Sequence, residues 1–532
     1  MSFGTIIIGS GVVAAAIAQR LLENDAMASI LVLEAGQRVK LMDYALWTDY
    51  LLYKRAPHDA CRDLAFPSKD VPGENLNLGK TNMELRGARL FGYGGTTTHW
   101  GGWSFRLKPE DFRLRANTGE GVDWPFDYDV LEPYYGQAED YLAVSGDSQD
   151  PTVPRSSDFR FQAFPFTLED QPIAQAMKSL GIAFAKLPIA RRGISTVPSR
   201  HAPCQTTGTC KYCPFGARFA AANYLDDIRS WTDCPNLEVR LGAVVEEITM
   251  ASKTTAASVR YTDRVTGTQV AVEGARIVIA AGTIESAKLL LRSKSNYWPG
   301  GVGNDHDNVG RYIVTHPYFT FKAQLPANPL KLQPEMDFPT LVSRHFDSEA
   351  EQRAGKWMMV NLPDTVPIDL AGKMQQGFTR AEIDAYVSGP TTVQVAVMAE
   401  VFGRRDNRVE NLWDRNAFGI PQTAVTYSAD QWFLETRIGQ VKAEVSAIFD
   451  EMGATLTADP SQSWRADHAG STCRMSVDPS DGVVDGHLRV HGTDNLYVCS
   501  NAVFPNIGAV NPTLTVTALA LRLADYLNGR NG

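Results

Sequence analysis

Long apolar runs, basic clusters, repeats and low-complexity segments are all missing from this chain of 532 residues. A membrane-spanning helix needs about 18 or more consecutive apolar residues, and no such run occurs. With a net charge of −9 and interspersed signs, no basic stripe indicates binding to nucleic acid or to an anionic membrane surface. Seven cysteines are too few for a disulfide scaffold of this length. The length and the 44% hydrophobic content predict a globular protein of two domains.

The first 36 residues have the pattern of a dinucleotide-binding βαβ unit in its G-x-G-x-x-A form. Gly9 allows a tight turn, Gly11 lets a pyrophosphate approach the backbone, and Ala14 keeps the helix close to the strand. The helix N-terminus offers N–H groups to the phosphates, and Glu34 can accept hydrogen bonds from ribose hydroxyls. A purely structural turn is the alternative. The motif's place at the N-terminus and the Glu-Ala-Gly ending of its second strand favour FAD over NAD.

A second segment, from Leu90 to Gly102, is dense in glycine and threonine. Such residues cannot build a core, but they let the backbone pass close to a flat ligand. A flexible surface loop is the alternative, and the neighbouring Trp100 and Trp103 argue against it. The residues of this loop that we predict to contact the cofactor are Gly94, Gly95, Thr96, Thr97, His99 and Trp100.

The rest of the chain predicts two kinds of structure. A buried strand and a glycine turn at Arg276–Ala287 indicate a second βα element near the cofactor, and residues 39–75 are expected to cover the cofactor as helix and loop. Between about 318 and 454, strand-like segments alternate with polar loops and one helix, Ala429–Met452. That arrangement suits a substrate domain built on an antiparallel sheet.

Three of the seven cysteines lie in one short segment, in the spacing Cys204-x5-Cys210-x2-Cys213, with a proline after the last. This spacing is typical of many iron–sulfur loops. No fourth cysteine lies nearby in the sequence, and three ligands suit a 3Fe–4S cluster. A disulfide with a spare thiol and a zinc site lacking its fourth ligand are the alternatives.

Two C-terminal segments, His468–Met475 and Asn511–Thr515, complete a family pattern. Together with the N-terminal glycine turn and Ala280–Thr283, they resemble the glucose-methanol-choline (GMC) family of FAD oxidoreductases. The resemblance implies an α/β protein of two domains: a Rossmann-like FAD domain and an α+β substrate domain with an antiparallel sheet. We expect the discontinuous FAD domain at 1–110, 200–316 and 464–532, with the cysteine loop 204–214 inside it, and the substrate domain with its covering segments at 111–199 and 317–463.

The resemblance also implies a catalytic histidine at His468 and its partner at Asn511. A neutral imidazole, with an ordinary pKa of about 6.5, can take the proton of an alcohol, and an amide beside it can hold the same hydroxyl. A core histidine and a turn asparagine are the alternatives. His316 is expected to be structural. The further cofactor contacts that the family pattern implies are Ala281, Asn501, Pro512 and Thr513.

The loop around His99 resembles that of pyranose 2-oxidases, in which the histidine bonds covalently to the flavin. It equally resembles the sugar and polyol dehydrogenases, in which the loop only packs on the flavin. The motif leaves both possibilities open, and we favour packing without a covalent bond. The cysteine segment resembles the FAD-dependent glucose, fructose and glucoside 3-dehydrogenases, although in some of those the last spacing is one residue longer.

These features predict a dehydrogenase that contains FAD and a 3Fe–4S cluster and oxidises a secondary hydroxyl of a sugar or glycoside, at C3. The resemblance implies a small subunit that carries the export signal, a cytochrome c as acceptor and a periplasmic location. We expect no signal in this chain, since its apolar N-terminus has the glycines of a nucleotide turn. A cytoplasmic location fits equally. The alternatives are a pyranose-oxidase-like enzyme that uses O2 and has structural cysteines, and a flavin-bearing relay subunit without substrate chemistry.

Overall fold

The computed structural model describes residues 2–38, 44–53, 75–85, 88–193, 197–206, 213–328, 338–362, 369–416 and 419–530. Most of the segment 39–75, predicted to cover the cofactor, therefore lies outside the described residues, as does Cys210. In the ranges that are described, no helix is both long enough and apolar enough to cross a membrane.

The secondary structure alternates between helices and strands along most of the chain. The strands are β1 (Ser2–Ile8), β2 (Ile30–Glu34), β3 (Asn75–Asn77), β4 (Ser145–Gly146), β5 (Phe161–Gln162), β6 (Ala185–Lys186), β7 (Leu237–Leu241), β8 (Ala243–Met250), β9 (Ala256–Asp263), β10 (Gln269–Ile279), β11 (Pro317–Leu325), β12 (Leu341–Ser343), β13 (Trp357–Asn361), β14 (Thr391–Ala399), β15 (Arg408–Arg415), β16 (Pro421–Thr426), β17 (Thr455–Leu456), β18 (Ser461–Trp464) and β19 (Leu496–Val498). The α-helices are α1 (Val12–Asn24), α2 (Tyr44–Tyr53), α3 (Leu114–Thr118), α4 (Tyr128–Tyr141), α5 (Asp170–Ser179), α6 (Ala221–Arg229), α7 (Gly282–Arg292), α8 (Leu370–Gln375), α9 (Arg380–Val387), α10 (Ile438–Glu451) and α11 (Thr513–Leu527).

The first large sheet contains the predicted nucleotide-binding strands. Its order is β7-β2-β1-β10-β9-β8, and β7, β2, β1 and β10 run parallel. Ile8 at the end of β1 pairs with Leu33 on β2 and with Ile279 on β10. Because these strands are parallel and in register, their carboxyl ends meet at one edge, where ligands bind in open α/β sheets.

Strand β10 joins the parallel and antiparallel parts of this sheet. One of its edges pairs with β1, whereas the other pairs with β9 over its first half and with β19 over its last three residues. As β19 precedes the turn at Asn501–Val503, this pairing carries the C-terminal part of the chain to the edge where β1 and β10 end. The predicted βα element after β10 is confirmed, since α7 follows it directly.

The second large sheet is antiparallel, as predicted, in the order β17-β11-β14-β13-β12-β6 with β18 beside β11. Alternate residues of a strand point to opposite faces. On β14, Val395 and Val397 belong to the core cluster that also includes α10, whereas Ala396 and Met398 belong to the cluster of the first sheet. The second sheet is thus covered on both faces, and one face shares its core with the nucleotide-binding part.

Helix packing fixes the C-terminal segment that carries Asn511. Helix α11 packs between α1 and α4, and the Tyr135 hydroxyl on α4 lies 2.9 Å from the Thr515 hydroxyl on α11. The helix predicted for Ala429–Met452 consists of a π-helical turn, Phe433–Arg437, followed by α10. The proposed division of the chain into residue ranges stays a prediction.

Candidate functional site

A deep cavity lies at the edge where β1, β2 and β10 end, and the predicted cofactor residues surround it. Its walls come from both ends of the chain and from the glycine-threonine loop. Of the residues predicted to contact the cofactor, those that line it are Gly9, Gly11, Glu34, Gly95, Thr96, Thr97, Trp100, Ala281, Asn501 and Thr513.

The glycine turn after β1 needs its two glycines for different reasons. Gly9 has a φ of +102°, and a Cβ there would lie 2.5 Å from the carbonyl oxygen of Ala280, so any side chain would clash with the backbone that follows β10. Gly11 has an ordinary φ of −72°, and a Cβ there would meet nothing within 4 Å. Gly11 is therefore free of protein contacts on the side that faces the cavity, as close approach of a pyrophosphate requires.

The N-terminus of α1 faces the same space. Gly11 is its N-cap residue and supplies no side-chain hydrogen bond to the first N–H groups, which leaves them available to an anion. Ala14 is fully buried within the first turn, as predicted for a residue at which the helix approaches the sheet. The residues present fit the pyrophosphate of a dinucleotide.

Glu34 is a buried carboxylate at the end of β2. One oxygen accepts hydrogen bonds from the backbone N–H and the hydroxyl of Ser10, at 3.1 and 2.6 Å, and the other accepts from the N–H of Gly36 at 2.8 Å. Burial raises the pKa of Glu34 to about 7, although these hydrogen bonds lower it in part. The carboxylate also lines the cavity, so it retains acceptor capacity for ribose hydroxyls.

Ser10 is a functional residue that the sequence reasoning missed. Besides donating to Glu34, its hydroxyl accepts a hydrogen bond from the N–H of Gly94 at 3.0 Å. This one side chain therefore connects the glycine turn, the end of β2 and the glycine-threonine loop. The position of Ser10 between Gly9 and Gly11 could have indicated this role, because a serine hydroxyl readily forms hydrogen bonds with nearby backbone groups.

The loop Gly94–Trp100 is held tightly. Gly95 has a φ of +56°, and a Cβ there would lie 3.2 Å from the Cα of Gly11, so the loop passes directly over the glycine turn. The Thr97 hydroxyl donates to the carbonyl of Gly94 at 2.6 Å and accepts from the N–H of Ala221 at 2.9 Å. These contacts contradict the alternative of a flexible surface loop.

Arg218 anchors the second half of this loop. Its buried guanidinium donates to the carbonyls of Thr98 and Trp100, both at 2.7 Å, and the indole N–H of Trp100 donates to the carbonyl of Phe219 at 2.9 Å. His99 therefore occupies a fixed position between two anchored residues, although it is not among the residues that line the cavity.

The remaining predicted cofactor residues lie at the starts of helices or turns. Ala281 is the N-cap of α7, Asn501 begins the turn Asn501–Val503, and Pro512 is the N-cap of α11, followed by Thr513. Each therefore brings helix or turn N–H groups toward the same edge of the sheet.

His468 and Asn511, the predicted catalytic pair, are in contact. The amide nitrogen of Asn511 lies 3.0 Å from Nε2 of His468. The oxygen of the same amide is buried and has no hydrogen-bond partner among the described residues. Asp467 and Ala469, the neighbours of His468, line the cavity. The pair therefore lies next to the cavity wall, although neither residue is among those that line the cavity.

Two threonines hold the turn that contains His468 against the start of α7. The hydroxyl of Thr283 donates to the carbonyl of Ala469 at 2.5 Å, and that of Thr472 donates to the carbonyl of Thr283 at 2.6 Å. Ser471, which directly precedes Thr472, has a φ of +74°, a left-handed conformation that is rare for a residue with a side chain. Such strain is found preferentially at functional turns.

The other ring nitrogen of His468 faces His316, which the sequence reasoning expected to be only structural. The two Nδ1 atoms are 3.2 Å apart, and Nε2 of His316 lies 2.9 Å from the carbonyl oxygen of Gly508. Backbone pairing between Val314 and Gly470 brings the two histidines together across 152 positions of sequence. No sequence pattern signals that contact.

Burial favours the neutral form of both histidines. Burial is the largest cause that lowers the pKa of His468; Arg465 lowers it further and Asp467 raises it. Burial and the neighbouring His468 lower the pKa of His316 to about 3. Near neutral pH both rings are therefore uncharged, and His468 has one unprotonated nitrogen able to act as a base.

Two of the three clustered cysteines lie in the described part of the chain. Cys204 and Cys213 are free, partly exposed thiols, which excludes a disulfide between them. The sulfur of Cys204 accepts a hydrogen bond from the N–H of Thr206 at 3.4 Å and lies 4.0 Å from a guanidinium nitrogen of Arg191. Such donors suit a thiolate ligand. With Cys210 outside the described ranges, those ranges contain no group of three potential metal ligands.

Comparisons with known proteins agree with this geometry. Two family models, both described as GMC oxidoreductase, match residues 6–318 and 395–520. The chain is 27% identical to the fructose dehydrogenase large subunit of Gluconobacter japonicus over 99% of this chain and 98% of the relative. It is 28% identical to 6'''-hydroxyparomomycin C oxidase of Streptomyces lividus, over 81% and 77% of the two chains. The structure of formate oxidase from Aspergillus oryzae superposes with a TM-score of 0.65 at 15% identity, over 99% and 98% of the chains, and shows the same fold.

The space beside Gly11 generates the first prediction. Gly11→Val should fold, because the backbone angles of Gly11 are ordinary and a Cβ added there meets no protein atom within 4 Å. It should nevertheless be isolated without FAD, since the side chain fills the pyrophosphate approach. Flavin content after denaturation and the melting temperature of apoprotein measure the two effects. Full flavin occupancy in this variant would contradict the assignment of the site.

The raised pKa of Glu34 generates the second prediction. In the apoprotein the ionised form of Glu34 is disfavoured relative to the protonated form. Protonated Glu34 therefore contributes to the stability of the fold, and this contribution is fully present below pH 4.5 and is lost as the pH rises through about 7. Ribose hydroxyls donate to the ionised form, so FAD binding should release the proton. The affinity of apoprotein for FAD should therefore rise with pH up to about 7, by at most about tenfold per unit, and then level off.

Titration of apoprotein with FAD, followed by flavin fluorescence at several pH values, tests this expectation. Glu34→Gln should bind FAD more weakly and show no pH dependence in that range. A wild-type affinity that does not change between about pH 5 and 8 would show that Glu34 does not contact the cofactor.

Proposed function

Because the chain belongs to the GMC oxidoreductase family, we propose that it is an FAD-dependent dehydrogenase that oxidises a secondary hydroxyl group of a sugar or glycoside. The observation that carries this proposal is the contact between His468 and Asn511, whose near neighbours in the chain, Asp467 and Thr513, line the proposed FAD cavity. That pair can hold and deprotonate one hydroxyl group. A flavin scaffold without substrate chemistry would need no such pair.

The sugar class is supported by one relative that matches nearly the full length of both chains. That relative is named as a fructose dehydrogenase subunit, so its substrate is a sugar. We assign oxidation to C3 because the family resemblance, at Thr98 of the glycine-threonine loop and in the cysteine spacing, leans away from the glucose and fructose enzymes and toward the glucoside 3-dehydrogenases.

His468 is the proposed general base. The hydroxyl proton of the substrate moves to its Nε2 atom, and the imidazolium that forms is offset by Asp467, which raises the pKa of His468. When bound, FAD supplies the acceptor for the hydride that leaves the carbon. Burial keeps His468 neutral before substrate arrives, so the base is ready near neutral pH.

Asn511 is the proposed orienting residue. In this structure its amide N–H donates to Nε2 of His468. When a bound alcohol donates its hydroxyl hydrogen to Nε2 in place of that contact, the Asn511 N–H is free to donate to the alcohol oxygen. An amide has no charge to change with pH, so it holds the hydroxyl over the whole range in which His468 is neutral. The substrate oxygen is thereby placed beside the base.

Cys204, Cys210 and Cys213 are the proposed ligands of a 3Fe–4S cluster. Such a cluster would supply a one-electron carrier between the flavin and an external acceptor such as cytochrome c. The donors around the Cys204 sulfur support this role, because N–H groups directed at a cysteine sulfur stabilise its thiolate.

Backbone hydrogen bonds connect the cysteine segment to the residues that hold the glycine-threonine loop. The N–H of Cys204 donates to the carbonyl of Arg192 at 2.9 Å, and the N–H of Arg192 donates to the carbonyl of Ala217 at 3.0 Å. The next residue, Arg218, holds Thr98 and Trp100. Two backbone hydrogen bonds thus join Cys204 to the segment that anchors the glycine-threonine loop, which supports a redox site close to that loop.

The proposed assembly includes a small subunit that carries the export signal and places the enzyme in the periplasm; a cytoplasmic location is the alternative. It is supported by similarity to a protein named as a large subunit, which implies a partner.

A second candidate is a sugar oxidase of the pyranose-oxidase type, with O2 as acceptor and structural cysteines. The similarity to 6'''-hydroxyparomomycin C oxidase favours it, because that relative is an oxidase at comparable identity. Iron content distinguishes the two candidates.

The catalytic assignment predicts that His468→Ala reduces its flavin with sugar about 10²- to 10⁴-fold more slowly, because that is the usual contribution of a positioned base. Reoxidation by acceptor should stay near normal. In wild type, kcat/KM should rise with pH along a limb below His468's ordinary pKa of 6.5, since burial lowers that pKa, and the variant should lose this limb. Rapid-mixing measurements of flavin bleaching give both rates.

Asn511→Ala is the companion variant. It should raise KM and lower kcat together, since an orienting contact acts in both the ground state and the transition state. Reduction of His468→Ala at the wild-type rate would mean that the base lies elsewhere.

The cluster assignment predicts that Cys204→Ser loses iron and sulfide but keeps FAD. Electron delivery to cytochrome c should then fall more than delivery to a small soluble dye. Cys234→Ser is the matched control, because Cys234 is a buried thiol outside the cysteine segment and should leave the iron content unchanged. Wild-type protein that contains FAD but no iron after anaerobic preparation would favour the oxidase instead.

A further inference from the structure

Behind the proposed base lies a second histidine that the proposed chemistry does not use. His316 is 3% exposed and touches His468 on the ring side opposite Asn511. We propose that His316 is a positioning residue: it selects the tautomer of His468 in which Nε2 carries the lone pair that receives the substrate proton. This inference rests on the proposed function only in taking His468 as the base.

The argument starts at the carbonyl of Gly508. A carbonyl oxygen can only accept, so the contact of 2.9 Å with Nε2 of His316 requires a hydrogen on that nitrogen. Burial keeps the His316 ring neutral, and a neutral imidazole carries only one N–H. Nδ1 of His316 must therefore be an unprotonated acceptor.

The contact between the two histidines then determines the tautomer of His468. The two Nδ1 atoms are 3.2 Å apart, and a hydrogen bond between them needs one hydrogen. Since Nδ1 of His316 has none, Nδ1 of His468 must donate. Neutral His468 then has its lone pair on Nε2.

The contact between Asn511 and His468 leads independently to the same tautomer of His468. The amide nitrogen of Asn511 is only a donor, so its contact of 3.0 Å requires an acceptor at Nε2 of His468. Gly508 and Asn511 lie on one connected segment before α11. This segment therefore supplies the hydrogen-bond partners at both ends of the row of contacts that contains His316 and His468. A solitary histidine would share its hydrogen between both nitrogens, and part of the protein would lack the base.

The charges around the pair also support this arrangement. On the turn of His468, Asp467 raises and Arg465 lowers the pKa of His468, and these two side chains pair with each other at 3.1 Å. From the segments packed against that turn, His468 is faced by neutral His316 and the neutral amide of Asn511. During proton transfer the substrate O–H bond breaks, an N–H bond forms at Nε2, and Nδ1–H keeps its acceptor throughout.

The kinetic test compares two substitutions at one position. His316→Phe keeps a flat ring but has no acceptor, so flavin reduction at saturating sugar should slow about 10²-fold or more, as it does when the acceptor behind a catalytic histidine is lost. Its acid limb should move to lower pH, because the imidazolium loses the acceptor at Nδ1. His316→Gln supplies an amide oxygen to His468 and an N–H to Gly508, so it should recover most of the rate and the wild-type limb.

His487→Phe is the matched control, because His487 is a half-buried ring that stacks on Tyr526 at 4.3 Å. It should leave both the rate of flavin reduction by sugar and the acid limb of the pH profile unchanged. Equal losses in His316→Phe and His316→Gln with an unshifted acid limb would show a merely structural role and overturn the inference. Wild-type rates in His316→Phe would overturn it as well.

Nitrogen NMR of histidine-labelled protein tests the tautomer without any substrate. Wild type near neutral pH should show Nε2 of His468 unprotonated and Nδ1 protonated, with the signals assigned by their loss in His468→Ala. In His316→Phe only Asn511 still favours this tautomer, so the signals should move part of the way toward an average of both tautomers. If sugars reduce the flavin but Nε2 is protonated, this inference fails and the function stands. If no sugar reduces it but the tautomer is as stated, the function fails and the inference stands.

Discussion

The buried carboxylate of Glu34 is the interaction on which the nucleotide-binding edge depends. It accepts hydrogen bonds from the glycine turn through Ser10 and from its own strand end through Gly36, and Ser10 in turn accepts from Gly94. Burial of such a group is unfavourable unless it is hydrogen-bonded, so these contacts are mutually dependent. The positive φ at Gly9 lets the turn pass β10, which closes the same edge from the other side.

The candidate active site depends on a different constraint, the pairing of distant backbone segments. Val314 pairs with Gly470, which places His316 beside His468, and Thr283 on α7 holds the carbonyl of Ala469. The cofactor edge and the catalytic turn are therefore connected through the start of α7. A change in either would move the other, because packed interiors transmit displacement.

Local patterns predicted much of this architecture. The glycine turn, the βα element ending in α7 and the antiparallel second sheet follow from the spacing of apolar residues and glycines, which act over a few residues. The contact between His468 and Asn511 followed from family resemblance and not from any local rule. Ser10 was missed, because its hydrogen bonds to Glu34 and Gly94 join residues 24 and 84 positions away.

The sequence by itself determined the nucleotide-binding turn and the strand and helix types, because these depend on short-range sterics and side-chain type. The residues proposed for chemistry came from the family resemblance of the sequence. In our proposal, only the tertiary structure decides which nitrogen of His468 is available as a base. That choice depends on the carbonyl of Gly508, the ring of His316 and the amide of Asn511, which converge from separate segments. Hydrogen bonds to a ring are directional and act over about 3 Å, so they exist only after the segments have packed.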